Sequence, residues 1–320
     1  MWGFQEKEPL VSIIHLSENF RMKHLPTILF FSLSLNSSCL KLDSNMYNTS
    51  DKIKEYKLDN YTGTQDFILD GSYAIPSSLV SIFDLSSQAS DEKTSTTIKA
   101  MYIGDMSKIG SDTIILYCHG NKWHMDFYWQ RAKLLAHTKG KNHYGVMMMD
   151  YRGYGLSAGK PSENGMYADV DACMKWLKEK GLTNDRLIIY GFSLGTASAT
   201  ELTANPRTLI PSKLILEAPF ASTSVMVQDA SQLNMPADYF TDVKVDNAEE
   251  IKKVNQPFLW MHGTGDLFLN YKTHGQVVYD HYKGSYKEKY LVDGADHGEV
   301  PKKMGFEKYL EVVGAFITKK

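Results

Sequence analysis

Short apolar runs recur along this chain from about residue 79, and their spacing restricts its fold more than any other feature. They lie at Leu79–Leu85, Thr97–Ile103, Thr113–Cys118, Gly145–Met149, Leu187–Tyr190, Lys213–Leu216, Phe258–Met261 and Lys289–Val292. Most are continuous rather than alternating, the pattern of strands covered on both faces. Between the later runs come helical stripes. Met166, Val170, Cys173 and Leu177 share one helix face with Gly181 as the stop, and Phe306, Tyr309, Leu310, Val313 and Phe316 share another. The early strands follow one another directly, and the later ones are separated by helices. This order predicts an α/β fold with a mostly parallel, eight-stranded sheet flanked by helices. No internal repeat and no second composition boundary follows residue 74, so residues 74–320 read as one domain.

The residues ahead of that domain read differently. Residues 22–39, MKHLPTILFFSLSLNSSC, run from a short polar start through an apolar stretch, Leu25 to Leu35, to small or polar residues and Cys39. That is the order of a secretory signal. A cysteine directly after small residues resembles the lipobox of bacterial lipoproteins, although Asn36 departs from its usual pattern. The resemblance implies lipidation of Cys39, a membrane contact through an N-terminal lipid anchor, and a place in the bacterial cell envelope. Without a working signal the protein would stay in the cytoplasm. Residues 1–21 carry Glu6, Glu8 and Glu18, which suit no signal start, and read as an over-long gene start ahead of Met22. Residues 40–73 are polar and read as a tether.

Composition removes several function classes. A formal net charge of −2 leaves no basic excess for a nucleic-acid partner. Cys39, Cys118 and Cys173 are odd in number and far apart, which fits neither a disulfide framework nor a zinc site. No apolar stretch reaches the roughly 18–20 residues that a membrane-spanning helix needs.

Residues 189–197, IYGFSLGTA, carry the first chemical signal. An apolar strand enters Gly191-Phe192-Ser193-Leu194-Gly195, and small residues then open a helix. In that setting G-x-S-x-G marks a turn so tight that the serine is strained and its neighbours must be glycine. The turn lifts Oγ of Ser193 clear of the sheet and presents the Leu194 amide to whatever binds there. A serine alcohol needs a base, and the base needs an acid to hold its tautomer. His297 stands on a glycine-flanked loop after one strand, and Asp266 on a loop after another. Asp293, Asp296, Asp242 and Asp246 are the competing acids, with Asp296 also suited to orienting the histidine loop. His262, after a strand and before a glycine, suits a structural role. His124, His137, His143, His274 and His281 read as solvated. The strand ending at Cys118 runs into His119-Gly120-Asn121, where the Asn121 amide is the second candidate oxyanion donor. A plain strand-ending turn is the alternative there.

Over about residues 76–320 the chain resembles the α/β-hydrolase superfamily, in particular its HGN-type serine hydrolase branch. That branch includes α/β-hydrolase domain proteins and prolyl-oligopeptidase-like catalytic domains. The motifs that carry the likeness are YCHGN at 117–121, MDYRGYGLSAGKP at 149–161, GFSLGTA at 191–197, HGTGD at 262–266 and GADHG at 294–298. The resemblance implies the nucleophile–acid–base order Ser193, Asp266, His297, and a structural role for Asp150 and Arg152. Lys122-Trp123-His124 and Leu267-Phe268-Leu269 depart from the family's usual loops and alter what surrounds the triad.

Trp123, Phe127, Tyr128 and Trp129, with Phe192 beside the nucleophile and Phe268 beside the acid, are candidates to line an acyl or aryl pocket, Trp123, Phe192 and Phe268 foremost; the alternative is that half of them pack the first helix onto the sheet. The stretch between Glu217 and Pro257 has room for a small flap, with a short helix near Ser222–Leu233, but not for a full helical cap. These features predict a serine hydrolase acting on a small-molecule ester or thioester through an acyl-serine intermediate. They imply no metal and no organic cofactor. A serine peptidase and a binding lipoprotein with a relic triad are the competing readings.

Overall fold

The computed structural model describes residues 46–49, 52–140, 144–231 and 241–320. The expectations for residues 1–21 and 22–39, including Cys39, fall outside the described residues. Eight strands form one sheet: β1 Val80–Ser87, β2 Thr96–Ile103, β3 Ile114–Cys118, β4 Gly145–Asp150, β5 Leu187–Phe192, β6 Lys213–Glu217, β7 Phe258–Gly263 and β8 Lys287–Val292. Their order across the sheet is β1-β2-β4-β3-β5-β6-β7-β8. Strand β2 runs antiparallel to both its neighbours, and β3 to β8 are mutually parallel.

The continuous apolar runs exist because helices cover both faces. In β3, Ile114, Leu116 and Cys118 face one apolar core, while Ile115 and Tyr117 face the other. The helices are α1 Met125–Ala136, α2 Glu163–Glu179, α3 Gly195–Ala204, α4 Thr223–Ser231, α5 Asn247–Glu250, α6 Gly275–His281, α7 Val300–Met304 and α8 Phe306–Thr318. Side chains of α2 and α6 join the first core, and those of α1 and α8 the second. Helix α2 starts where the Ser162 side chain accepts the Gly165 amide, a local cap that fixes its first turn.

Because β3 pairs with β4 on one side and β5 on the other, the chain reverses its direction of travel across the sheet there. Open α/β sheets bind ligands at such a point, beyond the carboxyl ends of the strands. The loops after β3, β5, β7 and β8 all leave from that rim.

Residues 52–73 correct the sequence reading. They are not a free tether but a strap laid over α1. Phe67 and Leu69 are buried. The Lys57 and Leu58 amides donate to the Asp126 carboxylate at 2.9 and 2.7 Å, and the Leu69 amide donates to Gln130 Oε1 at 3.1 Å. Asp59 accepts from Trp129 Nε1 at 2.8 Å and Lys133 Nζ at 2.6 Å. Every residue of α1 is buried as a result, the polar ones included. The apolar anchors are too sparse in a polar segment to show as a strand or helix period.

Candidate active site

Ser193 ends the turn between β5 and α3 with φ of +50°. An L-residue holds that conformation only when its surroundings impose it, at a cost of about 1–3 kcal/mol. The flanking glycines show what imposes it. A Cβ on Gly195 would stand 2.0 Å from the Cys118 carbonyl oxygen, and one on Gly191 would stand 2.7 Å from the Gly195 oxygen. The Ser193 amide donates to the Glu217 carbonyl at 3.0 Å, tying the turn to β6.

The loop after β8 brings His297 to Ser193, with Nε2 2.8 Å from Oγ. Its Nδ1 lies 2.8 Å from Oδ2 of Asp266, on the loop after β7. The three candidate residues, scattered along the chain, thus form one hydrogen-bonded row. The competing acids have other partners. Asp296 accepts the His297 amide at 2.8 Å and the Leu267 amide at 3.2 Å, so it shapes both loops. Asp293 accepts the Thr264 hydroxyl at 3.1 Å, and Asp246 caps α5 by accepting the Glu249 amide at 2.9 Å.

Asp266 is held more fully than its loop position suggested. Its Oδ1 accepts the amides of Phe268 at 2.9 Å and Leu269 at 2.7 Å. Its Oδ2 also receives a second imidazole, His262, whose Nε2 lies 3.1 Å away. Trp260 Nε1, which can only donate, sits 3.2 Å from His262 Nδ1. His262 therefore carries its proton on Nε2 and donates to Asp266 and to the Leu269 carbonyl at 3.0 Å. Burial pushes the Asp266 carboxyl up, but hydrogen bonds from His262 and His297, the His297 charge and the Leu269 amide outweigh it and hold the group well below the usual carboxylate range. The structural role read for His262 is thus exercised on the candidate acid itself. Its H-G-T-G-D spacing was the available signal.

The loop after β3 packs against the turn through Gly195. Among the described residues, neither the Leu194 amide nor the Asn121 amide has an acceptor in the protein. Leu194 and Asn121 are therefore the available donors. Trp123 on the same loop has φ of +55°, a second strained position beside the site.

The three foremost pocket aromatics separate. Phe268 is 60% exposed, edge-on to the His297 ring with centroids 5.1 Å apart. Trp123 is half-buried against Phe127, centroids 4.1 Å apart. Phe192 is buried between the Arg131 guanidinium, 4.1 Å from its ring centre, and the His297 ring at 5.4 Å. It backs the histidine and is not an open pocket surface. Phe127, Tyr128 and Trp129 pack α1 onto the sheet. Three histidines expected in solvent are also buried: His124 beneath Tyr61, His137 beside Tyr73, and His274, which accepts the Ala221 amide at 3.1 Å. His143 lies outside the described residues.

Arg131 escaped the sequence reading because it lies mid-helix without a motif. Its guanidinium bonds Glu217 Oε1 at 2.8 Å, Asp66 Oδ2 at 2.8 Å and the Gly298 carbonyl at 2.6 Å. One side chain thereby joins α1, β6, the strap and the histidine loop. Arg152 pairs with Asp169 at 2.9 Å and lies under the β4 exit, a structural position. Among the described residues no cluster of His, Cys, Asp or Glu is arranged to hold a metal ion.

This sheet order, with a strained serine beyond β5 and histidine and aspartate loops beyond β8 and β7, is that of the α/β-hydrolase fold. The family model described as serine aminopeptidase, S33, matches residues 110–252, which include the HGN loop and the Ser193 turn. Among curated proteins, the chain is similar to alpha/beta hydrolase domain-containing protein 17B of Xenopus tropicalis, with 29% identity over 205 residues, 64% of this chain and 66% of that one. It is similar also to protein 17C of Homo sapiens, with 28% identity over 205 residues, 64% of this chain and 57% of that one. The chain thus spans less than two thirds of the length of these relatives. Among solved structures, the fold is similar to the Pyrococcus furiosus esterase Pf2001, with TM-score 0.59 and 18% identity over 82% of this chain and 97% of that one. Mouse alpha/beta hydrolase domain-containing protein 10 aligns with TM-score 0.52 and 16% identity over 74% of this chain and 98% of that one.

Proposed function

We propose that the protein is a serine hydrolase that cleaves carboxylic esters or thioesters through an acyl-serine intermediate. The observation that carries this reading is the hydrogen-bonded row Ser193–His297–Asp266, 2.8 Å at each step, above a serine held at φ +50°. Ser193 Oγ attacks the carbonyl carbon while its proton passes to His297 Nε2. The carbonyl oxygen takes up negative charge and meets the Leu194 and Asn121 amides, each such donor being worth about 3–4 kcal/mol in the transition state. The imidazolium gives its proton to the leaving alkoxide or thiolate. Water then attacks the acyl-serine by the same route in reverse, with His297 again as base. Asp266 holds His297 with Nδ1 protonated, so Nε2 is free to accept.

The esterase named among the structural neighbours favours esters, and the aminopeptidase family model favours amides. An ester asks less of the site, since its leaving group departs more readily than an amine. A fluorophosphonate probe tests the chemistry: wild type labels and Ser193→Ala does not. A wild-type chain that fails to label overturns the reading in favour of a binding protein with a relic triad. Turnover of p-nitrophenyl esters of increasing chain length, beside acyl-CoA and peptide substrates, then assigns the bond. For residues 22–39 the proposal is lipidation at Cys39 and anchoring in the cell envelope. Intact mass of the native protein tests it, and a mature chain starting at Met1 overturns it.

A further inference from the structure

Whether Asn121 can serve as an oxyanion donor depends on one peptide plane. A trans peptide holds its C=O and N–H on opposite sides, so pinning the Gly120 carbonyl sets the direction of the Asn121 N–H. The Gly120 carbonyl accepts Nδ1–H of His119 at 2.7 Å. That ring is fully buried, stacked on Tyr128 with centroids 4.7 Å apart and tilted against Tyr151 at 4.5 Å. Its Nε2 lies 3.4 Å from Oδ1 of Asp150, a close buried contact short of hydrogen-bond geometry. The other carboxylate oxygen, Oδ2, accepts the hydroxyl of Tyr56 at 2.7 Å. Gly155 makes this approach possible, because a Cβ there would stand 1.9 Å from Oδ2. Burial, and then the Asp150 charge, push the Tyr56 phenol up, so it stays protonated and donates. Its oxygen also accepts the Leu156 amide at 3.2 Å, which fixes the ring from the far side.

We propose that Tyr56 is a positioning residue for the oxyanion amide: from the strap it sets the Asp150 carboxylate, which faces His119, whose ring pins the Gly120 carbonyl and so fixes the Asn121 N–H. A contact from Asn48, ahead of the strap, ends on Asn121 itself. Asn121 Oδ1 accepts the Asn48 amide at 2.8 Å and the Tyr154 hydroxyl at 2.7 Å, holding its side chain aside. The strap and the residue ahead of it therefore act on the site through the two ends of one loop, and the segment in front of the domain becomes part of the catalytic apparatus. Asp126 is the other carboxylate whose charge acts on Tyr56, and it is committed to the Lys57 and Leu58 amides.

The inference rests on the acyl-serine reading, and Tyr56→Phe in the full chain tests it. The ring is kept and only the hydroxyl is lost. A misaimed donor loses part of the 10²–10³-fold that a deleted one does, so kcat on p-nitrophenyl butyrate should fall about tenfold while KM stays within about twofold. Fluorophosphonate labelling should slow by a similar factor. Lys133→Met, which removes a strap contact with Asp59 but not this relay, should leave kcat unchanged. Should Tyr56→Phe fail to fold, Asp150→Asn carries the test. It keeps an acceptor for Tyr56 but takes the charge from His119, and kcat should again fall alone. An active wild type beside an equally active, folded Tyr56→Phe overturns the inference, as does an equal loss in Lys133→Met. A wild type that neither labels nor turns over removes the proposed function and this inference together.

Discussion

Replacing Asp266 with asparagine puts the hydrogen-bond logic of the site to its hardest test. The carboxylate accepts four bonds with two oxygens: His297 and His262 on Oδ2, and the Phe268 and Leu269 amides on Oδ1. Asparagine has one oxygen. If that oxygen stays on the two amides, the NH₂ faces both imidazoles. His297 must then accept at Nδ1, so its proton moves to Nε2, points at Ser193 and blocks proton transfer. His262 cannot adjust in the same way, because the Trp260 N–H already occupies its Nδ1. It keeps only its bond to the Leu269 carbonyl. If the amide is turned over instead, two backbone donors lose their acceptor, which costs more. The first orientation is therefore expected, with one donor–donor contact destabilising the fold by about 1–3 kcal/mol. The wrong tautomer should lower kcat by about 10⁴, or about 5 kcal/mol of barrier. Ester turnover at matched concentrations of folded protein, with thermal melts alongside, measures both. A folded Asp266→Asn enzyme within about tenfold of wild type would refute the tautomer argument.

The same carboxylate predicts a pH dependence of stability. Its folded pKa lies below the unfolded one, so its contribution is complete above the unfolded value, near 4, and is lost as pH falls toward the folded value. Urea titrations should show wild-type stability falling more steeply below about pH 4 than that of Asp266→Asn, and parallel curves would contradict this. Arg131→Met leaves Glu217 and Asp66 without their partner and should cost about 3–5 kcal/mol, read as a lowered midpoint of denaturation. Gly195→Ala drives a Cβ into the Cys118 carbonyl, 2.0 Å away. The turn must move off β3, and kcat should drop by about 10²-fold, whereas an unchanged rate would show that the close approach is not needed.

What the sequence by itself determined was local. The sheet was legible because a doubly covered strand needs a continuous apolar run whatever its neighbours, and each of the eight strands lies within two residues of its expected ends. The Ser193 turn was legible because steric exclusion at two glycines is written in five consecutive positions. Asp266 and His297 could be nominated because each follows a strand end. Tertiary structure alone decided which groups share a partner. Phe67 and Leu69 look like isolated apolar residues in a polar stretch until α1 offers them a surface, so the strap read as a tether. The row from Tyr56 through Asp150 and His119 to Gly120 joins residues that only the β4–β3 pairing brings side by side. His262 and His297 meet on one oxygen of Asp266 because β7 and β8 are parallel neighbours, and Arg131 reaches Gly298 because α1 packs beneath that rim. Hydrogen bonds of this kind depend on distance and direction in space, and a linear pattern of residue types encodes neither for partners so far apart along the chain.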